Sequence, residues 1–359
     1  MVLRSYHNLI NILLGVLSQD LLGVIRILSA KKWFSIEEYN IELRKFNYQS
    51  YEASDKPYEV PYSLKVTKLK GNAVSIWTHM RLFPFFIRQF IKDRDDLVLE
   101  LGILLHEITE RISANKFEEY EVQLLEERIV KFLDLRKALY EEFDVLGSPK
   151  PKTHFLSHYP DSIRLYGPPM SYWTARFESR HRIAKMSSES AKNYINISHT
   201  ISTRQQLRLS SIYYHGMFPN NEMIISGKST YKKELKLSGE NEKFVFTHMC
   251  DGDFLCSEIE FRSQQYRPGQ LVVLEVVSPD QLKMGLILSI LVKENSAYLV
   301  VKYFFSERTE LCYFKADILN APLNIYDIKD LADYKPLVNH GSATEMFFTL
   351  HHGLSFSYP

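Results

Sequence analysis

Three histidines and one glutamate in the middle of this 359-residue chain, His154, His158, Glu178 and His181, are the residue types that could do chemistry. Imidazole nitrogens ligate divalent metals, and a carboxylate can serve as ligand or general base. His154 and His158 stand four residues apart. On a helix that spacing puts both rings on one face, as zinc ligands can be. On a strand they would still share a face but lie about 13 Å apart. Together the four residues would be the active group of a metal-dependent hydrolase. The His-x-x-x-His spacing lacks the intervening glutamate of the zincin motif, and hydrogen-bonded histidines in a polar core are the commoner use of such residues.

The same stretch is strongly basic. From Lys150 to Arg208 there are ten cations (Lys150, Lys152, Arg164, Arg176, Arg180, Arg182, Lys185, Lys192, Arg204, Arg208) and three acids (Asp161, Glu178, Glu189), a surplus of seven in a chain of net charge +1. His199 and the aromatics Phe155, Tyr159, Tyr166, Tyr172, Trp173 and Phe177 are interleaved with them. A local basic and aromatic block in a neutral protein suggests a surface for a polyanion, nucleic acid first. Lys152, Arg164, Arg176, Arg180, Arg182, Lys185, Arg204 and Arg208 would contact phosphates, and Trp173 or Tyr172 would stack on an unpaired base. The competing expectation is that the charges solvate a face while Trp173 and Phe177 fill a core. Binding predicts a steep salt dependence and a solvated face predicts none.

The rest of the composition narrows the class. At 45% hydrophobic and 24% charged residues the chain reads as globular, with room for two domains or three. Three cysteines, Cys250, Cys256 and Cys312, argue against a disulfide framework; they match no common zinc spacing and read as buried free thiols. The apolar segment Leu9–Leu28 contains Gln19, Asp20 and Arg26 and has its leucines at helical spacing, so it reads as a buried amphipathic helix, not a signal peptide or membrane span. No targeting signal is visible, and the expected location is nuclear or cytoplasmic, away from membranes.

These residues need elements to position them. Ser35 followed by Glu37 and Glu38 is a helix start, and helices are expected to about Lys45, over Gly71–Phe90 with a break at Pro84, over Asp95–Ser113 and over Glu118–Phe143. Asp93, Asp95 and Asp96 read as helix-start acids and not as metal ligands. After Gly147-Ser148-Pro149 the basic block breaks again at Gly167-Pro168-Pro169. A helix then carries Trp173 to about Lys185, residues 187–193 form a loop, and a last helix covers Asn196–Tyr214. From Phe244 on, short β-branched and aromatic runs alternate with turns, including Phe244–His248, Glu258–Arg262, Leu271–Val277, Met284–Val292, Ala297–Phe304 and Leu311–Lys315. The expected fold is α+β: a helical region over 1–149, a basic helical segment over 150–219 packed with it, a linker over 220–243, and a smaller all-β, barrel-like domain over 244–359. In that domain Tyr298, Tyr303, Phe304, Phe305 and Tyr313 could line a groove for a protein partner, although alternating strand aromatics usually fill a core.

The segment PKTHFLSHYPDSIRLYGPPMSYWTARFESRH, from Pro151 to His181, resembles the PKxHFLxHYPxxIxxxGPxxxxWxxRFExKH segment of animal CACTA-type DNA transposases, with Arg180 where that family usually has lysine. Lys32–Asn40 is similar to the family's KxYFTLEELN, Gly71–Trp77 to GSASQMW, Arg204–Arg208 to RHQLR, and Tyr266-Arg267-Pro268-Gly269 to the start of its C-terminal β region. The resemblance implies an RNase H-like nuclease in which carboxylates hold two Mg2+ ions. It makes Glu178 the expected remnant of the third metal carboxylate, against a structural role paired with Arg176 or a histidine. The family's HDLLEGV motif aligns with Ile10–Val16, where its histidine and both acids are replaced by neutral residues. The expectation is a truncated or domesticated transposase-derived protein, more binder than enzyme. It would need no cofactor, and Mg2+ would matter only if residual chemistry survived. DNA is the expected partner, with a protein-interaction scaffold and the metal-dependent hydrolase as alternatives.

Overall fold

The helical spacing of the N-terminal half is realised as five main helices whose apolar faces share one core. The structure is a computed structural model. It describes residues 12–48, 52–143, 151–172, 175–192, 195–216, 223–235, 239–294, 296–342 and 344–356, with the side chains of 12–14 and 175–182 excepted. A π-helical turn, Ile12–Leu17, leads into α1 (Ser18–Ala30), followed by α2 (Ile36–Lys45), α3 (Ala73–Ile87), α4 (Leu97–Ile112) and α5 (Glu119–Glu142). Ser35 closes a capping box with Glu38 at the start of α2, and Asp96 caps α4 by accepting from the Val98 and Leu99 amides. That is the helix-start role expected of this acidic cluster. Pro84 does not divide α3, and Arg88 N donates to its carbonyl at 3.1 Å.

Leu21, Ile25, Phe83, Phe86, Leu105, Ile108, Leu125 and Phe132 meet in the helical core. The α1 helix is buried nearly all round, so its acid must be paired. Arg136 of α5 holds Asp20 with two bonds of 2.9 Å, and both side chains are at most 2% exposed. Gly102 lets α4 close on its neighbours, since a Cβ there would sit 3.0 Å from Phe83 and 3.2 Å from Val24. The basic segment then adds α6 (Pro151–His154), a 3-10 turn (Phe155–His158) and α7 (Tyr159–Tyr166), which bury Leu156, Tyr159 and Ile163 in the same core. Next come α8 (Ala175–Ala191) and α9 (Ile197–Tyr214).

The C-terminal part is β-rich, so the fold is α+β as expected. A small antiparallel sheet joins β1 (Ile224–Ile225), β4 (Ile259–Phe261) and β5 (Gln264–Tyr266). A nine-stranded antiparallel sheet runs β11 (Asp333–Leu337), β6 (Leu271–Ser278), β7 (Gln281–Lys293), β8 (Ser296–Arg308), β9 (Phe314–Asp317), β12 (Glu345–Phe348). Off that path β10 (Leu323–Asp327) pairs with β8, and β2 (Ser229–Tyr231) pairs with β3 (Phe254–Cys256), which pairs with β7. A bulge between Ile287 and Ser289 separates the half of β7 that pairs with β6 from the half that pairs with β3. Both faces of β6 are covered: Leu271 and Val273 enter one cluster, Val272 and Leu274 another.

Several local expectations are corrected. Residues 244–248 belong to a helix, α10 (Glu240–His248), not a strand, because Val245 and Met249, one turn apart, pack on Leu291 and Val300 of the sheet. The stretch 220–243 is not a bare linker: it contains β1, β2 and the start of α10, and β2 is tied in by main-chain pairing to β3. Residues 187–191 continue α8 where a loop was expected, since Ser190 Oγ turns back to the Ser187 carbonyl at 3.2 Å instead of opening the helix. Cys256 and Cys312 are buried free thiols, whereas Cys250 is exposed.

The two halves meet along a polar seam. Arg308 of β8 reaches Glu110 of α4 at 2.7 Å, both nearly buried. Gly353 N donates to the Glu110 carbonyl at 2.8 Å, and Tyr120 Oη donates to the Phe356 carbonyl at 2.7 Å. Arg81 pairs with Glu52 and bonds Thr349 Oγ1 at 3.2 Å. The His340 ring lies 4.8 Å from that of Phe46 and 5.2 Å from that of Phe85. Among the described residues no helix is long and apolar enough to cross a membrane.

Two predictions follow from these buried charges and rings. Asp20→Asn strips the buried Arg136 of its counter-charge and should cost about 3–5 kcal/mol in urea unfolding, while the double change Asp20→Leu with Arg136→Met should recover much of that loss. Burial pushes His79 down to about 3, and burial with Arg81 and Arg88 does the same to His340. An unfolded histidine titrates near 6.5, so below that pH the unfolded chain binds protons that the folded chain excludes. Stability should be intact above about pH 6.5 and fall as pH drops towards 3, by up to about 1.4 kcal/mol per pH unit for each ring. His79→Gln and His340→Gln should each flatten the fall in urea midpoint between neutral and mildly acidic pH.

Candidate nucleic-acid interface

The described site residues fall on two runs of helices. Lys152, His154, His158 and Arg164 lie on α6, the 3-10 turn and α7, against the helical core. Lys185 lies on α8, and Arg204 and Arg208 lie on α9. Arg176, Glu178, Arg180, His181 and Arg182 fall in the first half of α8, and their side chains are outside the described residues. Trp173, the expected stacking residue, also lies outside the described residues.

On the core side most of the chemistry is already committed. Arg164 Nε bonds Glu119 at 2.9 Å, its Nη2 lies 3.3 Å from Glu126, and its Nη1 lies 3.5 Å from Asp161. The bond to Glu119 outweighs desolvation, and with Glu126 it raises the guanidinium above its usual range. A cation surrounded by three carboxylates is a poor phosphate ligand. The Lys152 stem lies over Gly15, where a Cβ would come within 2.5 Å of its Cδ. The His154 and His158 rings are 4.9 Å apart and edge-on, as the helical reading of their spacing requires. Among the described residues no three His, Cys, Asp or Glu side chains gather as a metal site would need.

The α8–α9 pair differs in character. From Ala175 to Tyr214 there are seven cations (Arg176, Arg180, Arg182, Lys185, Lys192, Arg204, Arg208) and two acids (Glu178, Glu189). Arg204 Nη1 bonds the Ser187 carbonyl at 2.8 Å and also the Ser190 hydroxyl, which latches α9 to α8. Asn196 caps α9 by accepting from His199 N at 3.2 Å. The 18 residues of α9 include no acid and no buried residue. Lys185, Lys192 and Arg208 are exposed, with Lys185 4.0 Å from Glu189. Leu207 is 66% exposed and Tyr214 is 87% exposed, so apolar and aromatic surface stands among the cations.

Sequence reasoning missed the α9 tyrosines, Tyr213 and Tyr214. The run SSIYYHG reads as the apolar end of a packed helix, yet Tyr213 and Tyr214 are both largely exposed. The proposed aromatic groove of the β region is not formed in the described structure. Phe305 is 53% exposed, but Phe304 is buried and Tyr298, Tyr303 and Tyr313 are partly covered.

No family model, no curated protein and no solved structure matches this chain.

The contrast between the two parts is testable on a heparin column. Arg164→Ala should elute at the same salt as the parent, because its charge is already met by Glu119 and Glu126. Arg208→Ala should elute earlier.

Proposed function

We propose that this chain is a nucleic-acid-binding protein that docks its α8–α9 pair on the phosphate backbone. The observation that carries the reading is α9 itself: eighteen residues without an acid or a buried side chain, latched to a basic partner helix. A helix that buries nothing contributes little to the core, and Arg208 and Leu207 on it stand exposed to a partner. In a protein of net charge +1, a local surplus of five positive charges over 40 residues attracts a polyanion without a global field. The resemblance of Pro151–His181 to CACTA-type transposases supports DNA as that polyanion and the nucleus as the place of action. We read the chain as a transposase-derived binder, not a strand-transfer enzyme. This reading assigns Glu178 no metal, so binding is expected to persist in chelator.

The test is a titration of labelled duplex DNA between about 50 and 200 mM salt. Contacts from Lys185, Lys192 and Arg208 should give a slope of log affinity against log salt of roughly −3. Arg208→Ala should weaken binding to all sequences alike and reduce that slope by about 1. Undetectable binding at low salt, or binding indifferent to salt, would remove the proposal.

A further inference from the structure

Three exposed lysines stand on a loop that a buried arginine holds from inside. Between the 3-10 turn Ala53–Asp55 and α3, residues 56–72 form neither helix nor strand. Ordered connections longer than about 12–15 residues are uncommon in compact domains, and those that occur usually serve function.

The loop is fixed at both ends and in its middle. Asn40 of α2, fully buried, donates to the Val60 carbonyl at 3.1 Å and accepts from Val60 N at 2.8 Å. Leu69 is buried, and its N donates to the Ser18 carbonyl at 2.8 Å. Between these ends Arg26 of α1 donates to three main-chain carbonyls: Val66 at 2.7 Å, Ser63 at 2.6 Å and Pro61 at 3.4 Å. Arg26 is only 9% exposed, and among the described residues no carboxylate pairs with it. A buried cation is costly unless something meets it. Here the loop's own carbonyls do so, and the guanidinium in turn fixes the path of the loop.

What the braced loop presents is basic. Residues 60–72 contain three cations, Lys65, Lys68 and Lys70, and no acid. All three lysines are exposed, and among the described residues none of their side chains has a hydrogen-bond or ion-pair partner. The charges just before them are already met: Glu59 by Arg44 at 3.0 Å, and Lys56 by the Tyr48 ring, whose centroid is 5.3 Å from Nζ. Lys65 and Lys70 are five residues apart, so their Cα atoms lie within about 18 Å. A DNA duplex carries one negative charge per about 1.7 Å of its axis, so that span meets several phosphates whatever the register of the three ammonium groups. Ammonium groups bind phosphate as point charges and need no set angle of approach. A loop that is already ordered loses little conformational entropy on binding.

We infer that residues 60–70 are a second contact to the nucleic-acid backbone, made through Lys65, Lys68 and Lys70. The inference rests on the reading of the chain as a nucleic-acid binder and adds to it a contact carried by a different set of residues. An anionic membrane is the competing surface. Leu64, 76% exposed, is the one large aliphatic side chain exposed between residues 60 and 70, and a stable lipid anchor needs more apolar burial than one leucine gives.

Titration of labelled duplex over a range of salt, with lysine acetylation of the full chain, tests this. Lys65→Gln, Lys68→Gln and Lys70→Gln combined should make the slope of log affinity against log salt shallower by roughly 3. A charge-matched control, Lys228→Gln, Lys233→Gln and Lys243→Gln combined, changes three other exposed lysines and should leave the slope close to that of the parent. In the parent, duplex should protect Lys65, Lys68 and Lys70 from acetylation, read by mass spectrometry. An unchanged slope in the folded loop variant, an equal change in the control, or no protection would overturn the inference. Arg208→Ala reports on α8–α9 separately: if it alone alters the slope, the loop contact falls and the α8–α9 contact stands, and if only the loop variant does, the reverse holds. A parent that does not bind duplex removes both. Binding to anionic phospholipid vesicles that Leu64→Ser abolishes, with duplex binding untouched by the lysine changes, would assign the loop to a membrane instead. The protection measurement decides even if a variant does not fold.

Discussion

Glu110 is a charge that the helical half cannot satisfy alone. It lies on α4 with 8% of its surface exposed, and a carboxylate so placed is expensive unless a cation meets it. Burial acts to raise its proton affinity; Arg308, arriving from β8, together with His106 and Arg111 of its own helix, outweighs burial and keeps it low. The same pairing raises Arg308 against its own desolvation. The Glu110 main chain also receives Gly353 N, so one residue anchors both the long strand β8 and the returning C-terminal segment. Arg81 with Thr349 and Trp77 beside His351 add further contacts to the same seam.

Charge counts along a chain do not by themselves make a surface. The surplus between Lys150 and Arg208 is real as composition, but Arg164 is surrounded by Glu119, Glu126 and Asp161, two of them from α5. Its potential is cancelled within a few ångströms. Arg204 is used to hold α8 and α9 together. Among the described side chains of α8, α9 and the residues between them, Lys185, Lys192 and Arg208 are exposed, beside exposed Leu207 and Tyr214. At Arg164 and Arg204, then, a basic residue in the sequence is a structural tie and not an open charge.

Much of the fold was legible because periodicity and capping are local. Ser35 with Glu38, Asp96 before Val98, and Asn196 before His199 mark helix starts that the structure keeps. The strands from Leu271 to Arg308 appear where β-branched runs alternate with turns, though β7 and β8 run longer, at 13 residues each. Errors fell where a distant partner decides. Phe244–His248 has strand composition, but Leu291 and Val300 present a surface that suits a helical pair, Val245 and Met249. Tyr298 and Phe304 looked available for a groove, and neighbouring elements cover them.

The amino-acid sequence alone determined the α+β order, the caps, the basic block and the absence of a disulfide framework, because each is a matter of residue type and short spacing; whether His154 and His158 sit on a helix or a strand it left open. Tertiary structure alone decided which charges are spent and which are offered. Arg136 and Asp20 are 116 residues apart, and Arg308 and Glu110 are 198 apart. Electrostatic energy depends on separation in space and on exclusion of water, and neither can be read along the chain.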